Sequence, residues 1–97
     1  MSVQFTVHCV PWQCCSPLLG EFRSRFDDFR NDQLPNADPT DLISQHAIAL
    51  DGKGMPVGWA RLTPAGTIDR ILTAACCEQL SIEAALREIL HRRMRSN

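Results

Sequence analysis

Apolar and polar residues alternate from Val3 to Val10, with Val3, Phe5, Val7 and Cys9 on one side and Gln4, Thr6 and His8 on the other. A period of two predicts a half-buried strand, which Pro11 ends. The period then changes. Leu18, Leu19, Phe22, Phe26 and Phe29 recur at helical spacing, while Arg23, Arg25, Asp27, Asp28 and Arg30 fall largely on the other faces. Ser16 suits an N-cap and Pro17 a first helical position, so the helix is expected to start there and to lie on the sheet. Asn31 to Asp41 holds Pro35, Asn36, Asp38 and Pro39 and reads as a loop, with a short helical turn at Pro39–Ile43.

Gln45 to Leu50 reads as a second strand, and Asp51-Gly52-Lys53-Gly54 as a hairpin turn. Met55 to Leu62 is the third strand, with Pro56 near its start, where a missing N–H is tolerated. Thr63-Pro64-Ala65-Gly66 turns the chain into a fourth strand, Thr67 to Leu72. The remainder is helical, with Ile82, Leu86, Ile89, Leu90 and Met94 on one face. Its N-cap is either Ser81 or Thr73, because Cys76 and Leu80 continue the stripe backward. His91, Arg92, Arg93 and Arg95 occupy the last turns, where cations suit the helix dipole. The order β-α-β-β-β-α predicts an α+β fold, an antiparallel four-stranded sheet with packed helices.

A chain of 97 residues makes one domain, here 1–97. A domain of this size buries only about 60–65% of the surface its unfolded chain exposes, so a partner chain would add to a thin core. With 44% hydrophobic and 22% charged residues, the composition is that of a soluble globular protein. A net charge of -1 gives no global attraction to nucleic acid, and Arg92, Arg93 and Arg95 read as a solvated helix end. No apolar run approaches the roughly 20 residues of a membrane helix. The N-terminus lacks a basic start and long apolar stretch, which makes the cytoplasm the expected location. Cys9, Cys14, Cys15, Cys76 and Cys77 form no C-x-x-C pair and read as reduced thiols serving as small hydrophobes, with no metal site.

Arg25 and Phe29, Asp32-Gln33, Pro35, Asp38, Asp41 and His46 follow one another in order. After them come Pro56-Val57-Gly58-Trp59-Ala60-Arg61-Leu62 and Ile68-Asp69-Arg70. This series resembles one branch of the GNAT N-acetyltransferase superfamily, with Asp32 where that branch carries Glu and one residue fewer after Phe29. The resemblance covers the front half of the family's fold. It implies a truncated GNAT-like half domain and acetyl-CoA or CoA as the cofactor, held through Ile71, Leu72, Thr73, Ser81, Ile82 and Ala84 at the junction of fourth strand and last helix. In the family, glycines in that junction let backbone N–H groups approach the pyrophosphate. Here Ser81 and Glu83 stand in their places, and Glu83 and Glu78 bring negative charge. The chain contains no tyrosine, the residue that often protonates the departing thiolate in the family.

The expectation is therefore a degenerate GNAT-like domain without acetyltransferase activity as a lone chain. It would act through self-association, most simply as a homodimer through the exposed edge of the fourth strand, or through another protein chain. The alternative is a minimal acyl-CoA-dependent N-acyltransferase whose cleft a dimer completes, and a third reading is a decayed product without activity. Candidate chemistry outside the cofactor loop is sparse. His46 has the ordinary pKa range of a general base, and Asp38 and Asp41 suit either a substrate amine or a turn. Arg61 and Arg70 suit a phosphate or a neighbouring acid, and Trp12 and Trp59 suit a ligand or packing. For each, the structural role is the expected one.

Overall fold

The computed structural model describes residues 4–17, 39–73 and 78–95. Strand β1 (Phe5–Val10) is followed by helix α1 (residues 12–17) and helix α2 (Pro39–Ile43). Strands β2 (Gln45–Asp51), β3 (Pro56–Leu62) and β4 (Ile68–Thr73) come next, and helix α3 (Gln79–Arg95) completes the order. The strands form one antiparallel sheet in chain order, β1-β2-β3-β4. This is the α+β architecture that the periodicities predict. No helix among the described residues is long and apolar enough to cross a membrane.

The β2–β3 and β3–β4 hairpins share one construction. In the first, the Asp51 amide donates to the Met55 carbonyl (2.8 Å) and the Gly54 amide to the Asp51 carbonyl (3.0 Å). In the second, the Thr63 amide donates to Thr67 and the Gly66 amide to Thr63, both at 2.9 Å. Each three-residue loop ends on a glycine with positive φ, 79° at Gly54 and 86° at Gly66, a conformation that strains any side chain. The Asp51 carboxylate secures its loop further by accepting from the Lys53 and Met55 amides.

Two bulges interrupt the ladders. Leu50 stands opposite Pro56 but Ala49 opposite Gly58, which makes Val57 an extra residue on β3. Leu62 stands opposite Ile68 but Arg61 opposite Arg70, which makes Asp69 an extra residue on β4. Both bulges bear on the functional site.

One face of the sheet receives α3. The central strands offer Ala47, Ala49, Gly58 and Ala60, all small, and the helix fills the space with Ile82, Leu86 and Leu90, all fully buried. Each of these aliphatic side chains contributes about 1.5–3 kcal/mol on burial. The fit at Gly58 is close: a Cβ there would lie 2.7 Å from Ile82 Cγ2 and 3.1 Å from Leu86 Cδ1. Met94, expected on this face, is 41% exposed, and Leu80, expected to continue the stripe backward, is 81% exposed.

The opposite face packs Ile48 and Trp59 against Cys15 of α1, with Val10, Trp12, Leu50 and Leu72 around them. Here the expected helix start at Ser16 is corrected. The Cys14 and Cys15 amides both donate to the Pro11 carbonyl at 3.0 Å, so the helix begins right after Pro11 and includes Ser16 and Pro17. Burial of Cys15 and Trp12 on the sheet outweighs the capping preference of Ser16. The expected stripe from Leu18 to Phe29 lies outside the described residues.

Neither expected N-cap of α3 is used. The Ile82 amide donates to the Glu78 carbonyl at 2.9 Å, which makes Glu78 the N-cap and puts Ser81 inside the first turn. Glu83 consequently falls in the second turn.

Candidate functional site

The polar side chains that the sequence offers for chemistry gather on the α1 side of the sheet, where β2 begins and β3 ends. His46 is the second residue of β2, and Arg61 stands directly opposite it on β3. Helix α2 ends just before β2 and brings Asp41 over the same spot. Asp41, His46 and Arg61 are all buried, at 2%, 0% and 3% exposure.

Arg61 lies between two carboxylates. Its Nη1 donates to Asp41 Oδ1 at 2.9 Å. Its Nε donates to Asp69 Oδ1 at 2.9 Å, and Nη2 donates to Asp69 Oδ2, a bidentate pairing. The bulge at Asp69 matters here. Counted from the Thr63–Thr67 closure, Asp69 stands opposite Arg61, and the extra residue lets Arg70, opposite Arg61 in the rest of the ladder, share that face. Asp69 is exposed at the edge of this group, and the hydrogen bonds its carboxyl accepts from the Arg61 guanidinium hold it below the usual carboxylate range.

Both nitrogens of His46 are engaged. Trp59 Nε1 donates to Nδ1 at 3.1 Å, and Nε2 lies 2.8 Å from the Asp41 backbone carbonyl. An indole N–H only donates and a carbonyl only accepts, so the imidazole is neutral with its proton on Nε2. Burial pushes the His46 pKa down, and the neighbouring Asp41 only partly opposes that. Trp12 covers the ring from α1, with centroids 5.0 Å apart, and Trp59 lies 6.0 Å away with ring planes 15° apart.

The thiol beside this group is inert. Cys15 is fully buried, and burial, reinforced by the negative charge of Asp41, pushes its pKa up to about 12. Cys9 is half-buried on the α3 side and is also raised, chiefly by burial, whereas Cys14 is exposed rather than serving as a partly buried hydrophobe. All three are free, and Cys76 and Cys77 lie outside the described residues. Among the described residues, no three His, Cys, Asp or Glu side chains are placed to share a metal ion.

The residues expected at an acyl-CoA site are placed as follows. Ile71 stands opposite Ala60 and joins the α3-side core, Leu72 stands opposite Trp59 on the other face, and Thr73 stands opposite Gly58. Ile82 is buried against Gly58, which brings Thr73 and Ile82 to the same end of β3. Ser81 and Ala84 are exposed. Glu83 pairs with Arg87 at 3.2 Å on the helix surface. Residues 74–77, between β4 and α3, and Asp38 lie outside the described residues.

Arg61 pairs with neighbouring acids and Trp59 packs at the sheet, while Asp41, expected in a turn or cap, instead pairs its carboxylate with Arg61. That Asp41, His46, Arg61 and Trp59 form one bonded group, to which Asp69 is joined through Arg61, was not anticipated. A signal for part of it existed: the Thr63–Gly66 turn places Asp69 near Arg61 by simple counting along the hairpin. Comparison of the chain with family models, with curated proteins and with solved structures finds no match.

Proposed function

We infer that this chain is a GNAT-like module that acts by association rather than by catalysis of its own. One observation carries the reading: the side chains best suited to chemistry are already committed to one another. A general base needs a free lone pair within reach of a substrate proton, and His46 gives its lone pair to Trp59. A phosphate-binding arginine needs open donors, and the Arg61 guanidinium is buried between Asp41 and Asp69.

The partner surface is the outer edge of β4, the last strand of the sheet among the described residues. An edge strand offers backbone N–H and C=O groups to another strand, and a second copy pairing antiparallel about a twofold axis is the simplest occupant. Asp69 and Arg70 are the only charged residues on β4. The reading places the chain in the cytoplasm, where the thiols of Cys9, Cys14 and Cys15 stay reduced.

Two measurements test it. Sedimentation velocity at about 10 μM should show a dimer, and Ile71→Pro, which cannot extend a ladder, should shift it to monomer. A wild-type monomer at that concentration overturns the self-association. Calorimetric titration with acetyl-CoA should show no saturation tighter than about 100 μM, equivalent to about -5.5 kcal/mol. Tighter saturable binding would replace this reading with that of a minimal acyl-CoA-dependent N-acyltransferase. One observation favours that alternative: α3 starts at Gln79 and not near residue 74, so five residues separate β4 from the helix.

A further inference from the structure

The buried histidine and its aromatic neighbours do more than fill space. His46 joins three elements through contacts that depend on a single protonation state. Its Nε2–H donates to the last turn of α2 through the Asp41 carbonyl. Its Nδ1 accepts from Trp59 on β3. Its ring face carries Trp12 of α1, the helix that also places Cys15 against Trp59. A second proton on the ring goes to Nδ1, where it meets the indole N–H head-on. Two donors then share a space that held one hydrogen bond, and an imidazolium sits in a fully buried position.

We propose that His46 is a pH-sensitive latch that holds α1 on the sheet in its neutral form and releases it when protonated. The α3 face has no part in this contact, because Ala47 and Ala49 of β2 point to α3 while His46 and Ile48 point to α1. Protonation therefore loosens Trp12 and Cys15 and leaves the α3 core assembled.

The charged and titratable groups on the surrounding elements set the balance. They are Asp41 on α2, Cys14 and Cys15 on α1, Arg61 on β3, Asp69 and Arg70 on β4, and His8 on β1. Asp41 favours the imidazolium and Arg61 opposes it. Asp69 is tied to Arg61 and partly screens that opposition. Cys15 stays neutral, since its thiol is pushed up to about 12. His8 is exposed and bonded to Thr6.

The test uses the whole chain and a disulfide reagent active in mild acid, dithiodipyridine. The rate of Cys15 modification is divided by that of exposed Cys14, so the reagent's own pH dependence cancels. The ratio is expected to be flat above about pH 6.5, the ordinary histidine value that the opened ring regains, and below it to rise by up to about tenfold per pH unit until the closed-state imidazole is half protonated, because one proton accompanies each opening. In His46→Gln the amide offers an acceptor and a donor but takes no proton, and the ratio should be flat. In Trp59→Phe the bond to the neutral form is lost, and the His46 titration read from imidazole nitrogen shifts should move upward. The proposal is overturned by a flat wild-type ratio, by the same slope in His46→Gln, or by far-UV dichroism collapsing with the same midpoint as the ratio. It is overturned equally by an imidazole whose proton sits on Nδ1 at neutral pH.

Discussion

The two faces of this sheet solve the same packing problem in opposite ways. On the α3 side the sheet is small and the helix is large, with Ala47, Ala49, Gly58 and Ala60 receiving Ile82, Leu86 and Leu90. On the α1 side the sheet carries most of the buried bulk, in His46, Ile48, Trp59 and Arg61, and α1 contributes the fully buried small Cys15 beside the half-buried Trp12. The first face is held by dispersion and water exclusion and is indifferent to pH and salt. The second depends on directional bonds, each of which fails when one partner is removed. The α3 face thus contributes bulk stability, while the α1 face fixes which residue meets which.

The largest effect expected from this contrast is at Arg61. Arg61→Met preserves much of the volume but leaves Asp41 buried without its guanidinium. Breaking a buried pair by removing one partner costs about 3–5 kcal/mol. Urea unfolding should therefore show a lower midpoint with an unchanged m-value. A loss below about 1 kcal/mol would mean that the pair behaves like a surface ion pair, contrary to its burial.

That difference also explains what the sequence disclosed. Helix α3 was legible because Ile82, Leu86 and Leu90 repeat at helical spacing and need only an apolar surface opposite. The hairpins were legible because Gly54 and Gly66 mark loops that demand positive φ. The α1-side cluster was not legible as a unit, because its register rests on an insertion. Counting back from the Asp51–Met55 closure places His46 opposite Ala60, whereas Val57 bulges out and His46 stands opposite Arg61. A one-residue slip moves a side chain to the other face, and periodicity alone does not reveal one. The start of α1 was hidden for another reason. Trp12-Gln13-Cys14-Cys15 has no capping signal, and only the tertiary contacts of Trp12 and Cys15 select the helix there.

The close fit on the α3 side yields the second prediction. Gly58→Ala would set a methyl group 2.7 Å from Ile82 Cγ2, 3.1 Å from Leu86 Cδ1 and 3.4 Å from Ala49 Cβ. Ile82 is β-branched and stiff, so the helix must shift rather than the side chain alone. Overpacking of this kind costs about 1–3 kcal/mol. An unchanged thermal midpoint would show that α3 rides higher on the sheet than the structure indicates.

Acid should separate the faces next. The unfolded chain carries its histidine near the ordinary value of about 6.5, and the folded chain holds His46 lower. Between those values the unfolded state binds a proton that the folded state does not, so stability falls as pH drops below about 6.5. Asp69 adds a second loss further down. Its folded value lies below 3.8, so its contribution is complete above that pH and disappears as pH falls through the folded value. Unfolding free energies measured from pH 7.5 to pH 5 should slope in wild type and lose most of that slope in His46→Gln. An equal slope in both chains would assign the acid sensitivity elsewhere.

The smallest effect belongs to the outer surface of α3, where charge pairs resemble those of the buried face in type but not in setting. Glu83 and Arg87 approach to 3.2 Å, and Glu88 and Arg92 to 2.6 Å, each four residues apart. Arg87 and Glu83 are 48% and 36% exposed, so water screens the attraction. Arg87→Ala should cost only about 0.2–0.5 kcal/mol, and raising the salt concentration should shrink even that. The same salt increase should leave the cost of Arg61→Met nearly unchanged, since ions do not reach a pair with side chains 4% and 2% exposed. If both variants responded to salt alike, the Asp41–Arg61 pair would be hydrated in solution, and the contrast between the two faces would reduce to one of shape alone.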